Sequence, residues 1–92
     1  TVPMRIEYQA QVWRENDQCI AHAQPLDVAS SGATPEAARA ALEEAVQLFL
    51  VTATGHGTLE TVLEEAGYSL RDGEWRAPDW VSSEPASALV EA

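Results

Sequence analysis

One junction in the middle of the chain constrains the fold more than any other feature. Within the run 26–37, Val28 favours extended backbone and Gly32 can take a positive φ at little steric cost. Thr34 is a good helix N-cap because its hydroxyl can accept a hydrogen bond from a free amide. Pro35 suits the first helical position, where its missing N–H costs nothing. The junction therefore predicts a short strand, a turn and a helix start, with sheet before it and a long helix after it.

Alternating apolar and polar residues precede this junction. The alternation runs from Met4 to Val12 and has the period of two that is typical of a half-buried strand. A polar turn at 15–18 follows, and the chain returns as a second strand over 19–23. A third strand is predicted over 26–31. The first part of the chain is therefore expected to form a mainly antiparallel sheet.

The loop length of the first hairpin sets the register of this sheet. A two-residue loop at 16–17 places Val12 opposite Ala21 and Trp13 opposite Ile20, whereas a longer loop would alter the pairing. With the two-residue loop, one face of the hairpin carries residues over which a helix can lie closely: Tyr8, Ala10, Val12, Cys19, Ala21 and Ala23. The other face carries Gln11, Trp13, Ile20 and His22.

The helix after the junction is predicted from Pro35 to about Thr52, with Gly55 as a left-handed cap. Apolar spacings of three and four indicate which residues face the sheet: Ala38, Ala41, Leu42, Ala45, Leu48, Phe49 and Thr52. The opposite side is marked by Arg39, Glu43, Glu44 and Gln47.

Shorter units are predicted in the last third of the chain. Leu59, Val62, Leu63 and Ala66 define a short amphipathic helix that ends at Gly67. Asp72-Gly73 is a strong hairpin signal between strands at 68–71 and 74–77, and Pro78 ends the last strand. We predict one α+β domain over residues 1–81, of order β-β-β-α-(α)-β-β in two layers, followed by a flexible tail at 82–92.

The charge balance favours a basic protein partner over nucleic acid. The chain has 15 acidic residues against five basic ones, all arginine, for a net charge of −10. A phosphate backbone repels such a surface, so no direct nucleic-acid binding is expected. Acidity that merely maintains solubility is an equally good interpretation. The single Cys19 excludes an intramolecular disulfide and suits a reducing cytoplasm. The longest apolar run, Leu48–Val51, is too short for a bilayer, and no signal peptide is recognised.

No residue pattern predicts catalysis, a cofactor or a metal site. Cys19 and His22 are three apart on a strand and are expected on opposite faces, which disfavours a shared metal. His56 lies between two glycines and is most simply a turn residue. The paired acids at 43–44 and 64–65 fall on solvent-facing helix sides, without the burial and convergence that acid–base chemistry needs. We therefore predict a protein that is not an enzyme.

Aromatic residues mark the candidate partner-binding surface. Trp13 and Ile20 lie on the sheet face away from the helix, and aromatic side chains at such positions are typical interface anchors. Alternatively, the carboxy-terminal hairpin covers this face, with Trp75 or Trp80 stacked on it. The residues assigned to partner binding are Trp13, Ile20, His22, Trp75 and Trp80.

The chain resembles the HicB family of antitoxins over residues 4 to about 51. The resemblance is carried by four stretches: Arg14–Asp17, Ile20-Ala21, Leu26–Gly32, and Thr34–Ala37 leading into Leu42–Leu50. It implies a β-β-β-α-β domain similar to a truncated ribonuclease-H-like fold without its catalytic acids. It also implies that the protein binds and occludes a HicA-type toxin, a small basic ribonuclease that cleaves messenger RNA.

The chain departs from the family pattern in two places. The segment that is common in the family after the second strand is reduced here to Ala23-Gln24-Pro25. No ribbon-helix-helix or helix-turn-helix segment is recognised after the domain, so the chain resembles the short, stand-alone type. A solitary homo-oligomer, dimer or tetramer, with a structural or small-ligand-binding role is the alternative interpretation.

Overall fold

The computed structural model describes residues 4–91 and has the predicted α+β architecture. The strands are β1 (Gln9–Glu15), β2 (Gln18–Gln24), β3 (Val28–Gly32), β4 (Ser69–Arg71) and β5 (Glu74–Arg76); the helices are α1 (Pro35–Gly55) and α2 (Leu59–Glu65). An antiparallel sheet has the order β1-β2-β3, and β4 and β5 form a separate two-stranded sheet. Within the described residues, no helix has the length and apolar character needed to cross a membrane.

The register of the first hairpin confirms the two-residue loop. Val12 pairs with Ala21 and Trp13 with Ile20, and the loop residue Asn16 has a φ of 55°. The predicted start of β1 at Met4 is wrong, since the strand begins at Gln9 opposite Gln24, where β2 ends. Residues 4–8 do not pair with β2, and Ile6 instead forms a parallel bridge to Trp75 of β5.

The junction between β3 and α1 has the predicted cap but uses its glycine differently. The Thr34 hydroxyl accepts a hydrogen bond from the Ala37 amide at 3.1 Å, and Pro35 occupies the first turn of α1. Gly32, however, is not among the residues with positive φ. A Cβ atom at this position would lie 2.7 Å from the backbone nitrogen of Ala38 and 2.8 Å from the carbonyl carbon of Ala37. Close approach of the helix, and not a left-handed backbone, therefore requires glycine here.

Helix α1 covers the inner face of the sheet with a stripe that is rotated from the predicted one. Its buried residues are Ala38, Leu42, Val46 and Ala53. Leu48, which is 68% exposed, and Thr52 lie outside the stripe, so their assignment to the sheet side is wrong. The predicted polar side is exposed as expected. A spacing of three to four residues is compatible with a stripe through Leu48 and with a stripe through Val46. The positions of the sheet and of α2 determine that Val46 is the buried residue.

The turn after α1 also differs in detail from the prediction. Gly55 is the last residue of the helix, His56 is the C-cap with a φ of −89°, and Gly57 takes the left-handed conformation with a φ of +70°. The predicted cap was therefore placed two residues early, although the Gly55–Gly57 segment does end the helix.

The last third of the chain forms the predicted short helix and hairpin. Leu63 of α2 is fully buried, and α2 is followed by Gly67 with a φ of +101°. Asp72 and Gly73 both have positive φ, as a two-residue type I′ hairpin requires. Residues 77–91 contain neither helix nor strand, and 78–91 are exposed. The predicted flexibility of the tail stays a prediction, and residues 1–3 and 92 lie outside the described part of the chain.

One hydrophobic core joins the two sheets and both helices. Its central side chains come from β2, α1, α2, β5 and the residue before β4: Cys19, Ala21, Ala23, Leu42, Val46, Leu63, Trp75 and Tyr68. The Tyr68 hydroxyl donates a hydrogen bond to the Glu7 carbonyl and so ties the carboxy-terminal hairpin to the segment before β1. Burial, with the nearby Tyr8 and Glu7, raises the pKa of Tyr68 to about 12.

Candidate partner-binding surface

The sheet has an outer face, defined by Gln11, Trp13, Ile20 and His22, on the side away from α1. The alternation of β2 produces it, since Cys19, Ala21 and Ala23 are buried under the helix while the residues between them point outward. Trp13 is 41% exposed, and its indole Nε1 donates to Glu15 Oε1 at 3.0 Å. The Trp13 and His22 rings are neighbours, with centroids 6.3 Å apart and planes inclined by 55°. An aromatic side chain with this exposure leaves apolar area for a partner to cover.

A hydrogen-bonded pair, His22 and Asp27, lies at one edge of this face. The His22 Nε2–H donates to the Asp27 carboxylate, with 2.7 Å between Nε2 and Oδ1. Asp27 lies in the β2–β3 turn with a φ of 60°, and its amide donates to the Ala23 carbonyl at 2.8 Å. The side chain of His22 is only 19% exposed, whereas that of Asp27 is 89% exposed. The pair therefore fixes the imidazole while it leaves most of the carboxylate surface in water.

The chain after β5 forms a wall beside the hydrogen-bonded pair of His22 and Asp27. Residues 77–82 border an open groove of about 550 Å³, here called the outer groove, whose opposite side consists of His22, Gln24, Pro25 and Asp27. Trp80 is 52% exposed and lines it together with Asp79. A second cavity of about 430 Å³ lies between residues 77–80 and residues 7–9. The segment 77–82 thus covers one end of the outer face and leaves Trp13 accessible.

Four of the five predicted partner-binding residues lie on or beside the outer face, and the fifth does not. Trp13, Ile20 and His22 share the face, and Trp80 lines the groove next to it. Trp75 is only 4% exposed and packs in the core, so its assignment to a partner surface is corrected. Trp75 lies in β5 of the second sheet, where it forms a parallel bridge with Ile6, and it is not part of the outer face of the three-stranded sheet.

Sequence reasoning missed the acidic residues of the groove. The predicted third strand, 26–31, includes Asp27, whereas β3 begins after it, and no local sequence pattern marks Asp79. The only local signal was Pro25 two residues before Asp27, which suits a turn between β2 and β3. Nothing in the sequence linked Asp79 to this turn, because the two are brought together only by the path of the chain after β5.

The remaining chemical groups do not converge. Cys19 is buried on the inner face and His22 lies on the outer face, as their spacing predicted, and His56 is an exposed residue of the α1–α2 turn. In residues 4–91, no group of three or more histidine, cysteine, aspartate or glutamate side chains is placed to hold a metal ion. The surface is therefore suited to recognition by aromatic, apolar and acidic contacts.

Comparison with known proteins gave no match to a protein-family model, to a curated protein or to a solved structure.

Proposed function

We propose that this protein is a HicB-like antitoxin, which binds a small basic HicA-type ribonuclease and blocks its RNA-binding site without catalysing a reaction. The observation that carries the proposal is the outer face, where Trp13 remains 41% exposed although the core of the domain is complete. An aromatic anchor of this kind on a sheet face is suited to a protein partner.

The order of the elements supports the same proposal. The resemblance to HicB proteins implies β-β-β-α-β, and the chain has three antiparallel strands, a long helix across one face and a later strand, β5, in parallel contact with Ile6. Gly32 and Thr34 carry much of the resemblance, and both act at the start of α1. Gly32 allows the close approach of the first helical turn, and the Thr34 hydroxyl caps the helix.

The charge of the protein supports a basic partner. With a net charge of −10 and no lysine, the protein attracts a basic protein at long range, and complementary potentials accelerate such encounters. The same charge opposes contact with RNA itself, so inhibition of a ribonuclease would come from occupation of the enzyme and not from protection of its substrate.

The test is to mix the purified protein with a HicA-type toxin from the same genome and to measure the masses by size-exclusion chromatography with light scattering. We expect a stable heterocomplex and loss of the toxin's messenger RNA cleavage. A catalytically inactive toxin variant serves in the binding arm, so that toxicity does not limit its preparation. Free toxin and free protein eluting separately, with cleavage undiminished, would contradict the proposal.

The second candidate is a solitary oligomer with a structural or ligand-binding role. The exposure of Trp13 favours it as well, because a second copy could cover the same face. Light scattering of the protein, alone and mixed with the toxin, distinguishes the two candidates. A defined homo-oligomer that persists at low concentration and does not bind the toxin supports the second candidate.

A further inference from the structure

The outer groove has the chemical character of a site for a cation with a flat, apolar surface. Its lining residues include Asp27, Asp79 and Trp80, while the arginines at 5, 14, 39, 71 and 76 lie outside it. An indole beside carboxylates suits a guanidinium group, which stacks on aromatic faces and donates hydrogen bonds in a planar fork.

The hydrogen bond with His22 leaves Asp27 able to bind a second donor. His22 occupies Oδ1 alone, and the Asp27 side chain is 89% exposed. A carboxylate has two oxygens and accepts several hydrogen bonds, so a guanidinium could approach Oδ2 without breaking the pair. His22, held by this hydrogen bond, lines the groove and is a neighbour of the exposed ring of Trp13.

Other occupants fit the groove less well. An anion would meet two carboxylates, and a metal ion would find no group of three ligating side chains among the described residues. A second copy of this chain carries the same net charge of −10, which opposes self-association through an acidic groove. A groove of about 550 Å³ is large enough for a long side chain with part of its backbone.

We propose that the outer groove binds an arginine side chain of a basic protein partner, with the guanidinium group beside Trp80 and between the carboxylates of Asp27 and Asp79. The inference deepens the proposed function and rests on it in taking the partner to be a basic protein. It extends the binding surface from the outer face to the chain after β5, so that one partner contacts Trp13 and the groove together.

The probe is the peptide acetyl-Gly-Arg-Gly-amide, titrated into the full chain and followed by NMR through the tryptophan indole N–H signals. Its control is the same peptide with citrulline, which keeps the shape of arginine without the charge. We expect the arginine peptide to shift the Trp80 indole signal and the backbone amide signals of residues 79–82, with the Trp75 signal unmoved. Citrulline should cause much smaller shifts.

Two substitutions and one matched control locate the binding. Asp79→Asn and Trp80→Ala are each expected to lower the affinity for the arginine peptide by about fivefold. Asp17→Asn removes the same charge from the exposed β1–β2 turn and should change the affinity by less than about twofold. Unchanged Trp75 signals in the variants show that the fold is kept.

Three results of the peptide experiments would overturn the inference. These are equal shifts with citrulline, equal effects of Asp17→Asn and Asp79→Asn, or movement of the Trp80 signal on self-association without peptide. The toxin experiment separates this inference from the proposed function. If Trp80→Ala binds a HicA-type toxin as tightly as the original protein, the groove assignment fails and the antitoxin function stands. If the arginine peptide binds but no toxin does, the antitoxin function fails and the groove assignment stands.

Discussion

Replacement of Gly32 by alanine tests whether close helix–sheet contact is what the junction needs. The added Cβ would lie 2.7 Å from the Ala38 nitrogen and 2.8 Å from both the carbonyl carbon and the Cβ of Ala37. Two of these neighbours are backbone atoms of the first turn of α1, so relief requires the helix to move by several tenths of an ångström. That movement also disturbs the hydrogen bond between Thr34 and the Ala37 amide.

The expected loss for Gly32→Ala is about 2–3 kcal/mol of unfolding free energy, from overpacking and a weakened cap. In a domain of this size that loss lowers the melting temperature by about 10–20 °C. Urea unfolding followed by circular dichroism at 222 nm measures it. Gly55→Ala is the matched control, because its Cβ would have no neighbour within 4 Å, and it should raise stability by up to about 1 kcal/mol.

Replacement of Gly32 by asparagine distinguishes the two possible reasons for a glycine there, which are close approach of the helix and a left-handed backbone. If Gly32 were needed for a left-handed backbone, Gly32→Asn would be milder than Gly32→Ala, since asparagine tolerates positive φ. Close approach predicts that asparagine, which is larger, is at least as harmful. Equal midpoints for Gly32→Ala and Gly55→Ala, or a milder asparagine variant, would refute the argument.

Three further predictions concern binding, the cap and pH. Trp13→Ala should weaken toxin binding by about 2 kcal/mol or more and lower the free energy of unfolding by less than about 1 kcal/mol, whereas Trp75→Ala should lower the free energy of unfolding by about 3–5 kcal/mol. Calorimetry measures the binding, and urea unfolding measures the stability. Equal stability losses in the two variants would make Trp13 a core residue. Thr34→Ala should lower the stability measured in thermal melts by about 1 kcal/mol, because it removes the cap of α1. The control Thr52→Ala, on the exposed side of α1, should not lower the stability. An unchanged stability of Thr34→Ala would show that the cap contributes nothing. The raised pKa of Tyr68 means that the folded protein keeps this phenol protonated while the unfolded chain ionises, so this contribution to stability is complete below about pH 10 and is lost as pH rises toward 12. Urea midpoints at pH 9 and 11 should show this loss, and Tyr68→Phe should reduce it; an identical pH dependence in the variant would contradict the assignment.

Local signals in the sequence determined the secondary structure and the first hairpin register. Alternation and a two-residue loop specify which strand residues share a face, because side chains on a strand alternate with a fixed period of two. Thr34, Pro35 and the Asp72-Gly73 turn act within a few residues of themselves, so their roles could be predicted without knowledge of the fold. The positions of Trp13, Ile20 and His22 on one face followed from the same alternation.

Tertiary structure alone decided the features that depend on distant segments. The need for glycine at Gly32 arises from the first turn of α1, and the burial of Trp75 arises from its packing in a core shared with β2, α1 and α2. The rotation of the helix stripe toward Val46 depends on where the sheet and α2 lie. The outer groove joins Asp27 to Asp79 across most of the chain. Such contacts have no local signature, because they are set by how completed elements pack and not by the preferences of neighbouring residues.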